Sequence, residues 1–147
     1  MAILNYTTKI DPIKTIGEIQ GILAKHGACS VSTEFANSIP IGVNFAIDFN
    51  GDFLNFKLPS NAEGVYQALQ KDEQVPARYK TQEQARRVAW RITKNWVEAQ
   101  LAIVEARLAT LPEVFLPYAI TRNGQTLYQL VEQKKLPLLT GGRTDEQ

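Results

Sequence analysis

The stretch TQEQARRVAWRITKNWVEAQLAIVEARLA, residues 81–109, decides how the rest of the chain is read. Its spacing predicts one long helix. Thr81 is a capping residue type, Gln84 stands three positions on where it can reach back in a capping box, and no glycine or proline interrupts the run before Pro112. At about 1.5 Å per residue such a helix approaches roughly 40 Å, more than a small domain needs to cover its core. Its halves differ in chemistry. The first carries Arg86, Arg87, Trp90, Arg91 and Lys94; the second, residues 97–108, is mostly Ala, Leu, Ile and Val with Glu98 and Glu105. An apolar half this broad is expected to be buried all round. Either the segments that follow cover it, or long helices pair in a homo-oligomer, a dimer or higher, which is the favoured reading.

Working outward, Asp11-Pro12 places an N-cap before a proline at the first helical position, and Ile13, Ile16, Ile19, Ile22 and Leu23 form an apolar stripe that ends at Gly27. Gly17 and Gly21 lie inside that helix at a cost of about 1 kcal/mol each relative to alanine, which predicts close packing on a neighbour, the sheet. Residues 2–9, AILNYTTK, are β-branched and aromatic enough for a strand. Three further strands are expected at 29–35, 41–49 and 53–58.

The clearest is the middle one, where Ile41, Val43, Phe45, Ile47 and Phe49 alternate with Gly42, Asn44, Ala46 and Asp48. Asn50-Gly51 is the favoured two-residue hairpin turn because both central positions need positive φ. That turn sets the register: Ile47 opposite Leu54, Phe45 opposite Phe56 and Val43 opposite Leu58 on the core face. Asn44 then stands opposite Lys57 and Asp48 opposite Phe53 on the other face.

Asn61 caps an expected helix at 62–71, with Val65, Leu69 and Tyr66 inward. EVFLPYAI, residues 113–120, is broken by Pro117 and is read as extended chain. Asn123-Gly124 makes a turn, Thr126 caps a short helix at 127–134, and residues 140–147 read as a disordered tail. Together the elements describe a single α+β domain, residues 1–139, with an antiparallel sheet of three to four strands, helices on one face, and the long helix at about 81–109. The inner order α-β-β-β-α is also that of a double-stranded-RNA-binding domain. SNAEGVYQALQK, the stretch matching its second helix, lacks the basic start that binding to RNA requires.

Composition bounds the function. A formal net charge of +1 with 21% charged residues gives no global attraction to nucleic acid, so an anion site has to come from local clustering. One cysteine, Cys29, makes no internal disulfide, and with one histidine, His26, it leaves too few soft ligands for zinc. No metal and no cofactor are expected. With no apolar run near 18 residues and no signal peptide, the chain is expected to be soluble, in the host cytosol and away from membranes.

The strings NYTTKID, KTIGEIQGILAKHGA, FKLP, RVAWRITKNWVEAQLAIVEA and EVFLPY run through nearly the whole chain. In them it resembles a group of short, uncharacterised proteins encoded by phages and prophages of Gram-positive bacteria. The resemblance implies an accessory phage protein rather than a capsid or replication enzyme, in either DNA metabolism or inhibition of host defence.

The best candidate site is the basic start of the long helix. Arg78, Lys80, Arg86, Arg87, Arg91 and Lys94 stand there against one acid, Glu83. Arg86, Trp90 and Lys94 share a face at spacings of four, with Arg87 and Arg91 on the adjoining ridge. Guanidinium groups clamp phosphate and an indole stacks on a base, so the set suits a nucleotide or a single strand. The ordinary alternative is a solvated cationic face, with Trp90 and Trp96 in the core. A second candidate is the polar sheet face, where Asn44, Asn55 and Lys57 beside Phe53 can read a base edge or simply be wet.

Catalysis is not expected. Asp48 and Asp52 are turn residues projecting to opposite faces, His26 stands where histidines cap helix carbonyls, and Cys29 is read as a buried small hydrophobe. No P-loop, GxGxxG or HExxH pattern occurs. The expected function is a non-enzymatic phage accessory protein that binds a phosphate-bearing nucleotide and sequesters a host anti-phage defence signal. Two alternatives stay open: a single-stranded nucleic-acid-binding or recombination accessory protein, and a protein-interaction module that inhibits a host defence enzyme through Leu101, Val104 and EVFLPY.

Overall fold

The hairpin at Asn50-Gly51 organises the sheet. The computed structural model describes residues 2–134. It places β1 (Ser30–Ala36), β2 (Ile39–Phe49) and β3 (Asp52–Pro59) in one antiparallel sheet, in the order β1-β2-β3. Asn50 and Gly51 take φ of 55° and 88°, and the register is the one the turn dictates: Ile47 opposite Leu54, Phe45 opposite Phe56, Val43 opposite Leu58, Asn44 opposite Lys57. Asn37 and Ser38, also at positive φ, make an equally tight turn from β1 into β2. Val43, Phe45, Ile47, Phe56 and Leu58 are buried on one face, with the Phe45 and Phe56 rings stacked at 4.9 Å.

Residues 2–9 are not a strand. They turn back on themselves, with Asn5 at φ 65° and the Thr8 N–H donating to the Asn5 carbonyl oxygen at 3.0 Å. The segment lies over the start of the long helix, where the Gln84 amide donates to the carbonyl oxygens of Tyr6 and Thr8 at 2.8 and 2.9 Å. Those bonds satisfy backbone groups that a sheet would otherwise pair. They also mean that the capping box read at Thr81 is only half formed. Thr81 Oγ1 accepts from the Gln84 N–H at 3.1 Å, but the Gln84 side chain turns away to the N-terminal segment.

Before the sheet comes α1 (Pro12–Lys25). Asp11 caps it through Oδ1 to the Ile13 N–H at 2.9 Å, and it ends at Gly27, with φ 107°. His26 Nδ1 meets the Ile22 carbonyl oxygen at 2.8 Å, the capping role expected of it. Ile16, Ile19 and Leu23 face the sheet, whereas Gly17 and Gly21 do not: both are exposed, with nothing within 4 Å of where a Cβ would stand. Their expected close packing is absent from the described chain.

After the sheet, α2 (Ala62–Lys71) is capped by Asn61 and packs Val65 and Leu69 inward. α3 (Gln82–Glu105) follows a one-turn 3-10 helix, Ala77–Tyr79. It stops before residue 109 because Arg107 enters the left-handed region at φ 64°. The Leu108 N–H then returns to the Ile103 carbonyl oxygen and the Arg107 N–H to Val104, both at 3.0 Å.

The segment EVFLPY is helical rather than extended, forming α4 (Leu111–Phe115) and a 3-10 turn, Leu116–Tyr118. Thr110 and Glu113 make a complete capping box, and Pro112 sits in the first turn, where its missing N–H costs nothing. This turns Phe115 into the core, edge-on to Phe45 at 5.6 Å and to Trp96 at 5.4 Å. α5 (Leu127–Lys134) begins at a reciprocal pair of bonds between Thr126 and Gln129. The tail expected at 140–147 lies outside the described residues.

The burial of α3 reverses the expectation for its halves. Its first half is buried on two sides: Ala85, Val88 and Ala89 join Val65, Leu69 and Val75 under α2, while Trp90 turns to the sheet. In the second half only Val97 and Leu101 are fully buried, and Glu98, Ala99, Ala102, Glu105 and Ala106 are exposed.

Candidate ligand groove between α1 and α3

The indole of Trp90 is in the core, 1% exposed, in one cluster with Ile16, Leu23, Val43, Phe45 and Phe56. It is no stacking platform, and this corrects the role read for it. The reason is tertiary: the ridge between two cations on the helix is also the line along which α3 rests on the sheet, and burying an indole there removes far more apolar surface than exposing it would.

The cations around it separate. Arg91 crosses to α1, where its Nη1 donates to Glu18 Oε1 at 2.8 Å and to Thr15 Oγ1 at 3.2 Å; its side chain is 15% exposed. Arg87 stays on its own helix, donating through Nε to Gln84 Oε1 at 2.9 Å with Glu83 at 3.8 Å. Lys94 pairs with Glu98 at 2.9 Å. Arg86 is half-buried, has no ion-pair partner among the described residues, and sits about 140° around the helix from Arg91. Three of the six cations are thus met by acids, Arg87 by Glu83, Arg91 by Glu18 and Lys94 by Glu98, while Arg78, Lys80 and Arg86 have no ion-pair partner among the described residues.

What the fold does bring together is a groove of about 450 Å³ between α1 and α3, lined by Glu18, Gly21, Ile22, Lys25, Arg91, Lys94 and Glu98. It runs on past Ile22, Lys25 and Glu98 into a lobe of about 270 Å³ that reaches His26, Leu101 and Glu105. Gly21 leaves the α1 side open, because nothing among the described residues stands within 4 Å of its missing Cβ. Lys25 has no ion-pair partner among the described residues, so its ammonium is available to an incoming anion. Lys25, Gly21 and Glu18 were absent from the candidate set. Glu98 was legible as the i+4 partner of Lys94, but the pairing of Arg91 with Glu18 spans 73 residues and leaves no local trace.

The second candidate set lies elsewhere. Asn44, Asn55 and Lys57 share the open face of the sheet, opposite the one on which Trp90, Val97 and Leu101 pack. α3 therefore does not cross them, and one site cannot hold both sets. Ser30, Ser32, Asn44, Ala46, Asn55 and Ile120 line a shallow hollow of about 280 Å³ there. Lys57 Nζ reaches across β2 to Glu34 Oε1 at 3.2 Å, a charge contact outside hydrogen-bond geometry, and Asn44 Oδ1 is buried without a partner among the described residues.

Asp48 and Asp52 occupy the hairpin tip opposite Phe53 and Phe49, and Asp48 Oδ1 accepts from the Gly51 N–H at 3.1 Å, the turn role expected of it. Cys29 is exposed, with Sγ 3.4 Å from the Ala46 carbonyl oxygen, and not the buried hydrophobe its strand position suggested. No helix among the described residues is long and apolar enough to cross a membrane. No protein-family model, curated protein or solved structure matches this chain.

Proposed function

We propose that this protein is a non-enzymatic phage accessory protein that holds a phosphate-bearing nucleotide in the α1–α3 groove and so sequesters a host defence signal. The observation that carries the reading is the convergence of Lys25, Arg91 and Lys94 on a groove whose α1 side is left open at Gly21. A phosphate entering there meets the free ammonium of Lys25, competes with Glu98 for Lys94, and lies beside a guanidinium held in place by Glu18 and Thr15. The phage context comes from the resemblance of the sequence strings. Burial of Trp90 removes the aromatic platform from the nucleotide and the single-strand readings alike, so the nucleotide reading now rests on the cations of the groove, and burial of Leu101 removes part of the contact surface of the protein-inhibitor reading.

The test is native followed by denaturing mass spectrometry of the protein purified from phage-infected, defence-proficient host cells. A Lys25→Ala plus Lys94→Ala variant, which leaves the Arg91–Glu18 contact intact, is carried alongside. A nucleotide that accompanies the wild type and is lost from the variant supports the reading. A wild-type protein that arrives empty, or a nucleotide that stays with the variant, overturns it.

A further inference from the structure

The two edges of the sheet are finished differently. The outer edge of β3 is partly closed, since Ala119 bridges Phe56 and the Ile120 N–H donates to the Asn55 carbonyl oxygen at 2.8 Å. The outer edge of β1 pairs with no described strand. Its sequence, SVSTEFA, contains neither proline nor lysine, the residues that commonly guard an edge against further pairing, and its one irregularity falls between Glu34 and Phe35. Residues 30–34 are therefore a regular edge whose one charge, Glu34, is met on the open face by Lys57, and Ser32 is its midpoint.

A two-fold axis through Ser32 makes that edge self-complementary. Ser30 of one copy then faces Glu34 of the other, Val31 faces Thr33, and Ser32 faces its own equivalent. Hydroxyl meets carboxylate, β-branched meets β-branched, and no like charges are opposed. α1 supports the same geometry independently. Ile13, Gly17, Gln20 and Ala24 recur at helical spacing along one flank, and Gln20 Nε2 donates to Thr33 Oγ1 at 3.0 Å, which sets that flank on the β1 side. Ile13 is 60% exposed, and Gly17 pays a helix penalty of about 1 kcal/mol for a space that nothing among the described residues fills.

We propose that the chain forms a two-fold homodimer by antiparallel pairing of β1 with β1 about Ser32, extending the sheet to six strands. The α1 helices of the two copies lie side by side along their Ile13–Gly17–Ala24 flanks. Glu18, which meets Arg91, stands on the other flank of α1, so the groove stays open in the dimer and the two proposals fail separately.

The experiment is a charge exchange at Ser32, which is exposed on the open sheet face. Native mass spectrometry and light scattering are run on the wild type, on Ser32→Lys, on Ser32→Glu and on an equimolar mixture of the two variants. The wild type is expected to be dimeric, and each variant alone to dimerise at least about tenfold more weakly, because like charges are brought face to face. The mixture is expected to regain a dimer with one copy of each, which also shows that the variants are folded. A monomeric wild type overturns the proposal, as do variants that dimerise as well as the wild type or a mixture that fails to pair. A dimer that survives both Ser32 variants and dissociates only with Gly17→Arg also overturns the β1 pairing.

Discussion

Gln84 Nε2 donates to the Tyr6 carbonyl oxygen at 2.8 Å across 78 residues of sequence, and the same amide nitrogen reaches the Thr8 carbonyl oxygen at 2.9 Å. One buried side chain, 4% exposed, therefore holds the N-terminal segment against α3. Gln84→Ala leaves both carbonyls without their donor and is expected to cost about 1–3 kcal/mol. Hydrogen exchange should accelerate for the amides of residues 3–8 ahead of the sheet. Unchanged exchange there would mean that the segment is held by its other contacts, such as Tyr6 against Tyr79.

Trp90 separates a core role from a ligand role. Trp90→Ala is expected to lower stability by about 3–5 kcal/mol, with Trp90→Phe losing much less, whether or not any ligand is present. Denaturant unfolding of the two variants measures this. A Trp90→Ala protein as stable as the wild type would return the indole to the list of ligand contacts.

Arg107 occupies the left-handed region at φ 64° in the cap that ends α3, a position where an L side chain costs about 1 kcal/mol and glycine does not. Its side chain is exposed and makes no ion pair among the described residues. Arg107→Gly is expected to raise stability by about 0.5–1 kcal/mol, seen as a higher unfolding midpoint with an unchanged denaturant slope.

Glu113 carries the pH dependence of α4. The backbone N–H of Thr110, and then its hydroxyl, hold the Glu113 carboxylate below its ordinary pKa. A carboxylate whose folded pKa is depressed contributes stability that is fully present above its unfolded value and is lost as pH falls through the depressed one. Acid titration followed by far-UV circular dichroism should therefore show the wild type losing its advantage over Glu113→Gln below the ordinary glutamate range. Parallel curves would show that the capping box contributes nothing through its charge.

The parts of the fold legible in the sequence are those whose cause lies within a few residues. Asn50-Gly51 implied a turn, the turn implied the register, and the register placed Phe45 against Phe56, because positive φ at two adjacent positions admits few other geometries. Asp11, Asn61, Thr81 and Thr126 were equally readable, since each cap is a bond between a side chain and a backbone N–H two or three residues away. The candidate site was legible only in part. Arg91 and Lys94 do line the groove, but Lys25 and Gly21 arrive from a helix far away in sequence, and Trp90 leaves for the core.

The sequence by itself determined the α+β class, the hairpin and its register, the starts of α1, α2, α3 and α5 and the existence of α3, through steric and hydrogen-bonding preferences that act over a turn or two. The tertiary structure decided the rest. It decided that residues 2–9 coil over α3 and which face of α3 each cation and indole takes, whereas the helical α4 follows from its own capping box between Thr110 and Glu113. The first two outcomes depend on competition between distant groups for the same buried surface and the same donors. Nothing in a local stretch records that Gln84 will serve Tyr6 and Thr8, or that Arg91 will find Glu18.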